Sequence, residues 1–135
     1  MKSDIDIKDD VYKVINSSAL KKAVTGSLCK RKRVAYPIGA ELKEDICISI
    51  LANQTSQEQK AFVSVNIYVK DENVKGQEEE KSDRLRELCQ LSFHVLEFIH
   101  GSDFRLSMDT QRVVPSEETG EHIINNKLLY QTIND

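Results

Sequence analysis

Residues 61–69 read AFVSVNIYV, and their alternation decides the fold. Val63, Val65, Ile67 and Val69 fall on one side, all β-branched and apolar, as a strand lying over a packed core requires. Phe62, Ser64, Asn66 and Tyr68 fall on the other, a mixed set suited to a face that is at best partly covered. Just upstream, residues 45–51 (DICISIL) alternate again, and the polar stretch 53–60 (NQTSQEQK) separates the two runs. Together they predict an antiparallel hairpin at the centre of a sheet.

Size and composition set the frame around that hairpin. The 135 residues are one domain's worth, so 1–135 is read as a single domain, with the polar residues 1–8 as a mobile lead-in. A chain of this length buries roughly two-thirds of its unfolded surface, so neither metal nor disulfide is needed to fold it. The net charge of −3 argues mildly against nucleic-acid binding through the whole surface, though not against a local basic patch. Cys29, Cys47 and Cys89 are odd in number and each sits within an apolar pattern, which reads as small buried hydrophobes in a reduced protein. The opening MKSDIDIKDD has no apolar core of a signal peptide, and no run approaches a membrane span. The expectation is a protein that is cytoplasmic when made.

Moving outward, Val11, Val14, Ile15 and Ala19 recur at helical spacing. With Asp9 or Asp10 as a cap and Ser17-Ser18 as a break, they predict one interrupted helix or two short ones over 10–25. Residues 27–33 (SLCKRKR) read as a strand whose far end leaves the sheet. The cations Lys30, Arg31, Lys32 and Arg33 form either a patch that meets phosphate or a partner, or a solvated edge. Residues 34–43 read as a loop, on account of Pro37 and Gly39. That loop carries Tyr36, Ile38 and Leu42, more apolar surface than a solvated loop needs, so it either folds back on its core or meets a neighbour. Residues 71–81 (DENVKGQEEEK) read as a solvated linker whose acidic run suits the start of the next helix.

The strongest helix signal covers 82–99 and opens at Ser82, with Gly101 as its stop. Leu85, Leu88, Cys89, Ser92, Val95, Leu96 and Ile99 make one stripe, with Leu91, Phe93 and Phe98 beyond it. The apolar arc is roughly 220°, wide enough to need cover on two sides. Residues 103–114 and 122–133 alternate as two closing strands, with a turn at 115–121 and a bulge at Asn126-Lys127. Apolar residues on both faces of the last strand place it either inside the sheet or paired at an interface. The predicted class is α+β: an antiparallel sheet of about five strands with two helices packed on one face.

Chemistry is hard to find. No nucleophile elbow, zinc-helix, phosphate-loop, dinucleotide or CxxC motif occurs. His94 falls on the polar helix face, His100 at the helix end as a cap, and His122 beside a turn. Asp45, Asp109 and Glu121 would form a nuclease-like carboxylate set if strand ends brought them together, but nothing in their spacing demands it. No enzymatic activity, cofactor or metal is expected.

In layout the chain resembles the small tail-completion proteins of tailed bacteriophages and prophages, which include tail terminators and head-tail joining proteins. The resemblance runs through the opening DVYKVI at 10–15, Tyr36-Pro37, the paired runs EDICISI at 44–50 and VSVNIYV at 63–69, the helix at 84–99 and the closing NKLLY at 126–130. It covers nearly the whole chain, and its motifs are structural. It implies a non-enzymatic virion assembly subunit, a homo-oligomeric ring, often sixfold, that caps the tail tube and joins it to the head. The implied partners are tail-tube or neck proteins, with no membrane and no nucleic acid. Tyr36, Ile38, Leu42, Phe62 and Tyr68 are then the candidate interface, and Lys30, Arg31, Lys32 and Arg33 the candidate basic patch. The segment Ile38-Gly39-Ala40 departs from the family pattern, so partner contacts of the loop do not carry over. The alternatives are a host protein–protein interaction module and, behind it, a small nucleic-acid-binding protein using Lys30 to Arg33.

Overall fold

The computed structural model describes residues 1–116 and 118–133. In chain order they form α1 (Asp4–Asn16), α2 (Ala19–Ala23), β1 (Leu28–Cys29), β2 (Ile46–Gln54) and β3 (Lys60–Lys70). There follow β4 (Glu72–Val74), β5 (Gln77–Glu79), α3 (Ser82–Leu96), β6 (Phe98–His100), β7 (Phe104–Ser116) and β8 (Glu121–Thr132). The hairpin at 45–70 is β2–β3, antiparallel, with Ile48 opposite Val65 and Ile46 opposite Ile67. β8 lies on the other side of β3, as the apolar residues on both its faces required, and the sheet runs β1-β2-β3-β8-β7-β6.

The α+β class holds, but the count and polarity differ from the sequence expectation. The sheet has six strands, and β1 pairs parallel with β2. A separate two-stranded hairpin, β4–β5, occupies the stretch expected to be a linker. It closes through a two-residue turn at Lys75–Gly76, where Lys75 has φ 52°. A two-residue turn with positive φ matches the twist of antiparallel strands, which is why so polar a segment still pairs.

Three helices, not two, cover one face. Ile7, Val11 and Ile15 of α1, Leu20 of α2 and Leu85, Leu88 and Leu96 of α3 join Val63, Val65, Ile67 and Val69 in one core. α1 begins seven residues before Val11. Ser3 caps it, accepting from the Asp6 N–H, while the Asp6 carboxylate accepts from the Ser3 N–H. Residues 4–8, expected outside the fold, are thus helical. Lys2 is fixed as well, its ammonium donating to Asp10 at 2.6 Å and Asp103 at 2.9 Å. Ser18 caps α2, as the Ser17-Ser18 break suggested.

α3 stops at Leu96 rather than running to Ile99. Its first turn lacks a side-chain cap, Lys81 standing where Ser82 was expected. At its other end the backbone finds a better partner than a further helical turn. Phe98, Ile99 and His100 pair with β7, and the Met108 N–H donates to the Glu97 carbonyl at 3.1 Å. His100 is therefore a strand residue and caps nothing. The second cover that the wide apolar arc demanded comes from α2, with Phe93 left 44 % exposed. The bulge expected at Asn126-Lys127 is instead at Asp109, on β7 opposite them, and β8 is regular. Part of the turn expected at 115–121 falls on residue 117, outside the described residues; Pro115 and Ser116 belong to β7.

Polar groups set how α3 sits on the sheet. Buried Ser92 donates to the Leu88 carbonyl, and buried Asn126 donates to Ser92 and accepts from Gln111 at 2.8 Å. Arg84 grips Glu44 with two hydrogen bonds of 2.7–2.8 Å and also reaches the Ala23 carbonyl, fixing α3 to α2 and to the start of β2. Leu88 and Leu96 are both fully buried, so Leu88→Ala and Leu96→Ala are each expected to cost about 2–5 kcal/mol, read as a lower urea midpoint.

Candidate functional site

A parallel pair cannot be joined by a tight turn and needs a connection of roughly a dozen residues or more. Residues 30–45 are that connection between β1 and β2, and they carry no regular element. Unstructured connections this long are uncommon in compact domains and often carry function. This connection starts beside α1, where Lys30 pairs with Asp9, and reaches the Tyr68 end of the uncovered sheet face at Arg33.

Arg33 pins it there. Its Nε donates to Asp45 Oδ2 at 2.8 Å, and Nη1 and Nη2 each donate to a Glu121 carboxylate oxygen at 2.7 Å. Nη2 also donates to the Lys43 carbonyl at 2.9 Å. The guanidinium lies 4.1 Å over the Tyr68 ring and 5.3 Å from the Tyr36 ring. The side chains of Asp45 and Glu121 are wholly buried, that of Arg33 nearly so. Asp45 is satisfied on every side: its Oδ1 accepts from the Ser27 N–H at 2.7 Å, and its Oδ2 accepts from the Tyr36 hydroxyl at 2.6 Å. The chain can pass this carboxylate only as glycine, because a Cβ on Gly26 would stand 2.2 Å from Asp45 Oδ1.

The charges follow from that packing. Burial alone would raise the Asp45 pKa, but the Ser27, Tyr36 and Arg33 hydrogen bonds and the Arg33 charge outweigh it and hold the carboxyl below its ordinary 3.8. Burial, together with the bond to Asp45, pushes the Tyr36 phenol up. Both groups therefore stay in one ionisation state through neutral pH.

The five candidate interface residues do not share one environment. Tyr36 and Tyr68 meet on Arg33 and are half-buried, and Leu42 is half-buried as well. Phe62 lies at the other end of the same face, with the Lys127 ammonium 4.5 Å over its ring. Ile38 is wholly exposed, at 108 %. It occupies the tip of a turn in which the Ala40 N–H donates to the Pro37 carbonyl at 3.0 Å and Gly39 takes φ 84°. Among the described residues no helix covers this face. Its rows are largely apolar at both ends, with Ala52, Phe62, Leu129, Ser107 and Phe98 in one row and Tyr68, Ile123 and Val114 in another. Between them, Asn125 donates to Ser64 and Asn66 at 2.7 and 2.6 Å.

The four-cation run divides in the same way. Arg33 is internal. Lys30 pairs with Asp9 at 2.9 Å and lies over the Tyr12 ring. Only Arg31 and Lys32 of the four are exposed with no ion pair among the described residues.

Catalytic geometry does not assemble from the candidate residues. Asp45 and Glu121 converge, but on Arg33, while Asp109 faces Lys127 at 3.8 Å. The Cys47 thiol is pushed up to about 12 by burial and by Cys29 beside it, and burial raises Cys89 too, so neither is a ready nucleophile. His122 Nδ1 is 2.6 Å from Asp71, and His94 and His100 are exposed and apart from it. Among the described residues no His, Cys, Asp and Glu group is placed to hold a metal, and no buried side-chain nitrogen or oxygen lacks a partner. A hollow of about 350 Å³ lies at the other end of the sheet from Arg33, beside Lys2, Gln59 and Ile133, and its Lys2 ammonium is already held by Asp10 and Asp103. No protein-family model and no curated protein matches the chain.

Removing one member of a buried ion pair leaves its partner charged and unmatched. Arg33→Met is expected to destabilise by about 3 kcal/mol at pH 7. Asp45, whose pKa is lowered by folding, contributes its stability above the ordinary 3.8 and loses it as pH falls through the folded value. The gap between wild type and Arg33→Met should therefore persist down to the ordinary 3.8 and narrow only below it, which urea unfolding at neutral pH and well below 3.8 measures.

Proposed function

We propose that this chain is a non-enzymatic assembly subunit of a phage or prophage virion, of the tail-terminator or head-tail joining kind, acting as a ring at the end of the tail tube. The observation that carries the reading is the Arg33-anchored loop. A basic side chain, two buried carboxylates and a tyrosine hold a long connection firmly against the sheet, and the held loop carries Ile38 fully into solvent. An isolated exposed apolar residue is ordinary. One at the tip of an anchored loop, beside an uncovered sheet face with apolar rows, suits a protein partner. The sequence layout described above supports the choice of partner class, and the absence of an assembled catalytic set among the described residues fits a structural role.

A host interaction module would use the same loop and face. Capsid, portal and tail-tube genes beside this one favour the virion reading; a neighbourhood without them favours the module. The nucleic-acid reading is weaker, since two of the four cations that suggested it are held within the chain.

Light scattering across a concentration series, with electron micrographs taken in the presence and absence of tail tubes, tests the proposal. Rings, free or seated on tube ends, are expected. A strict monomer that ignores tubes would sink it. Ile38→Asp is expected to change stability by less than about 0.5 kcal/mol while abolishing ring formation or seating. Equal loss of folding would place Ile38 in the core.

A further inference from the structure

Four cations share the uncovered face of three neighbouring strands. Lys60, Gln131 and Arg105 stand in one row, on β3, β8 and β7. Further along the same face, Lys127 lies level with Ser64 and Thr110, and Arg112 level with Asn125 and Asn66. Lys60 and Arg105 are two strand spacings apart, about 10 Å, and the Lys60 and Arg112 rows are six residues apart, about 20 Å. Carboxylates are scarce in this patch. Asp109 faces Lys127 at 3.8 Å, and Glu58 borders the Lys60 end. Asp45 and Glu121, at the loop end of the face, are both held by Arg33. Lys60, Arg105 and Arg112 make no ion pair among the described residues. The chain as a whole carries −3, so these cations are gathered against the trend of its composition.

The chemistry around them suits a chain of phosphates and bases. A hollow of about 230 Å³ opens at the Lys60 row, lined by Lys60, Gln131 and Arg105 together with Glu58 and Ile133. Two cations flanking a side-chain amide can donate to the oxygens of a phosphate. The adjoining row carries Phe62 and Phe98, three strand spacings or about 14 Å apart. Phe98 is 62 % exposed, and Ile99, not Phe98, is the residue of β6 that packs on the core. Ser64, Asn66 and Asn125 add hydrogen-bonding groups beyond the rings. A sheet face of this kind presents no helix or ribbon to enter a duplex groove. It fits a single strand, whose phosphates meet cations and whose unstacked bases lie on aromatic rings.

We infer that the uncovered face, from the Lys60 row to Arg112, binds single-stranded nucleic acid. Lys60, Arg105, Lys127 and Arg112 meet phosphates, Phe98 stacks on a base, and Phe62, under Lys127, is the second ring contact. The run at 30–33 takes no part. The inference does not depend on the assembly reading, which concerns the loop at the other end of the face.

Fluorescence anisotropy of labelled oligouridylate and oligothymidylate, each of about 12 nucleotides, tests it. Binding to at least one is expected at low salt, and preference for the first would assign the 2′-hydroxyl a part. With four phosphate contacts, affinity should fall roughly 50-fold between about 50 and 200 mM salt. Arg105→Glu with Arg112→Glu should abolish binding. Lys13→Glu with Lys22→Glu, the same charge change on the helices, should leave it nearly intact. All four positions are exposed, so both variants should melt as wild type does. Phe98→Ala should weaken binding at least about fivefold with the salt dependence unchanged, since stacking releases no counterion. Polyglutamate should compete poorly. Absence of binding at low salt overturns the inference, as does equal loss in the helix-side variant. If polyglutamate displaces the strand and Phe98→Ala changes nothing, the face is a dock for an acidic protein and the inference is also overturned.

Discussion

The guanidinium of Arg33 lies between two wholly buried carboxylates, Asp45 and Glu121, and the outward face of the molecule is arranged around that fact. Charges taken out of water are costly, and their mutual attraction offsets the cost only when geometry is good and the remaining lone pairs are met. Both conditions hold. Glu121 takes a two-pronged bond, and Asp45 takes the rest from Arg33, Tyr36 and the Ser27 N–H. Four segments far apart in sequence thereby meet at one point: the crossover loop, the start of β2, the start of β8 and the Tyr68 end of β3. Such a cluster adds less to net stability than an apolar plug of the same size could. What it supplies is position, because only one path of the loop satisfies every partner.

The helix-covered face works by different rules. There the β-branched row of β3 meets three helices, and stability comes from burial. Polar groups serve there to fix position: a short thread, Ser92, Asn126 and Gln111, sets how far α3 slides along β8, and Arg84 ties α3 to Glu44. With the core sealed on that side, the opposite face is free of packing duties. It keeps half-buried aromatic residues, a polar stripe and an exposed loop tip.

Much of this was legible in the sequence wherever a period was long enough to read. The alternation at 61–69 placed β3 and its buried face, and the i, i+3, i+4 stripe placed α3 and its buried leucines. The strand read over 27–33 is β1, though only Leu28 and Cys29 pair, and its parallel pairing and the crossover were not legible. Segments of three residues carry no period, so β6 and the β4–β5 hairpin were hidden. The end of α3 was misplaced because Ile99 extends the helical stripe equally well, and only β7, distant in sequence, makes the strand the better use of its backbone. At the site, Tyr36 and Tyr68 were picked out for their exposure and turned out to share Arg33. Arg33 itself looked like one of four equivalent cations. Its partners lie 12 and 88 residues away, and no local pattern announces them.

An electron cryomicroscopy structure of the chain in its assembled state is the most direct check on the idea that Arg33 anchors a loop for a protein partner. The account expects Arg33 still between Asp45 and Glu121, and Ile38 buried against a neighbouring protein. An assembly in which Ile38 stays in solvent, or in which the loop has left Asp45, would contradict it.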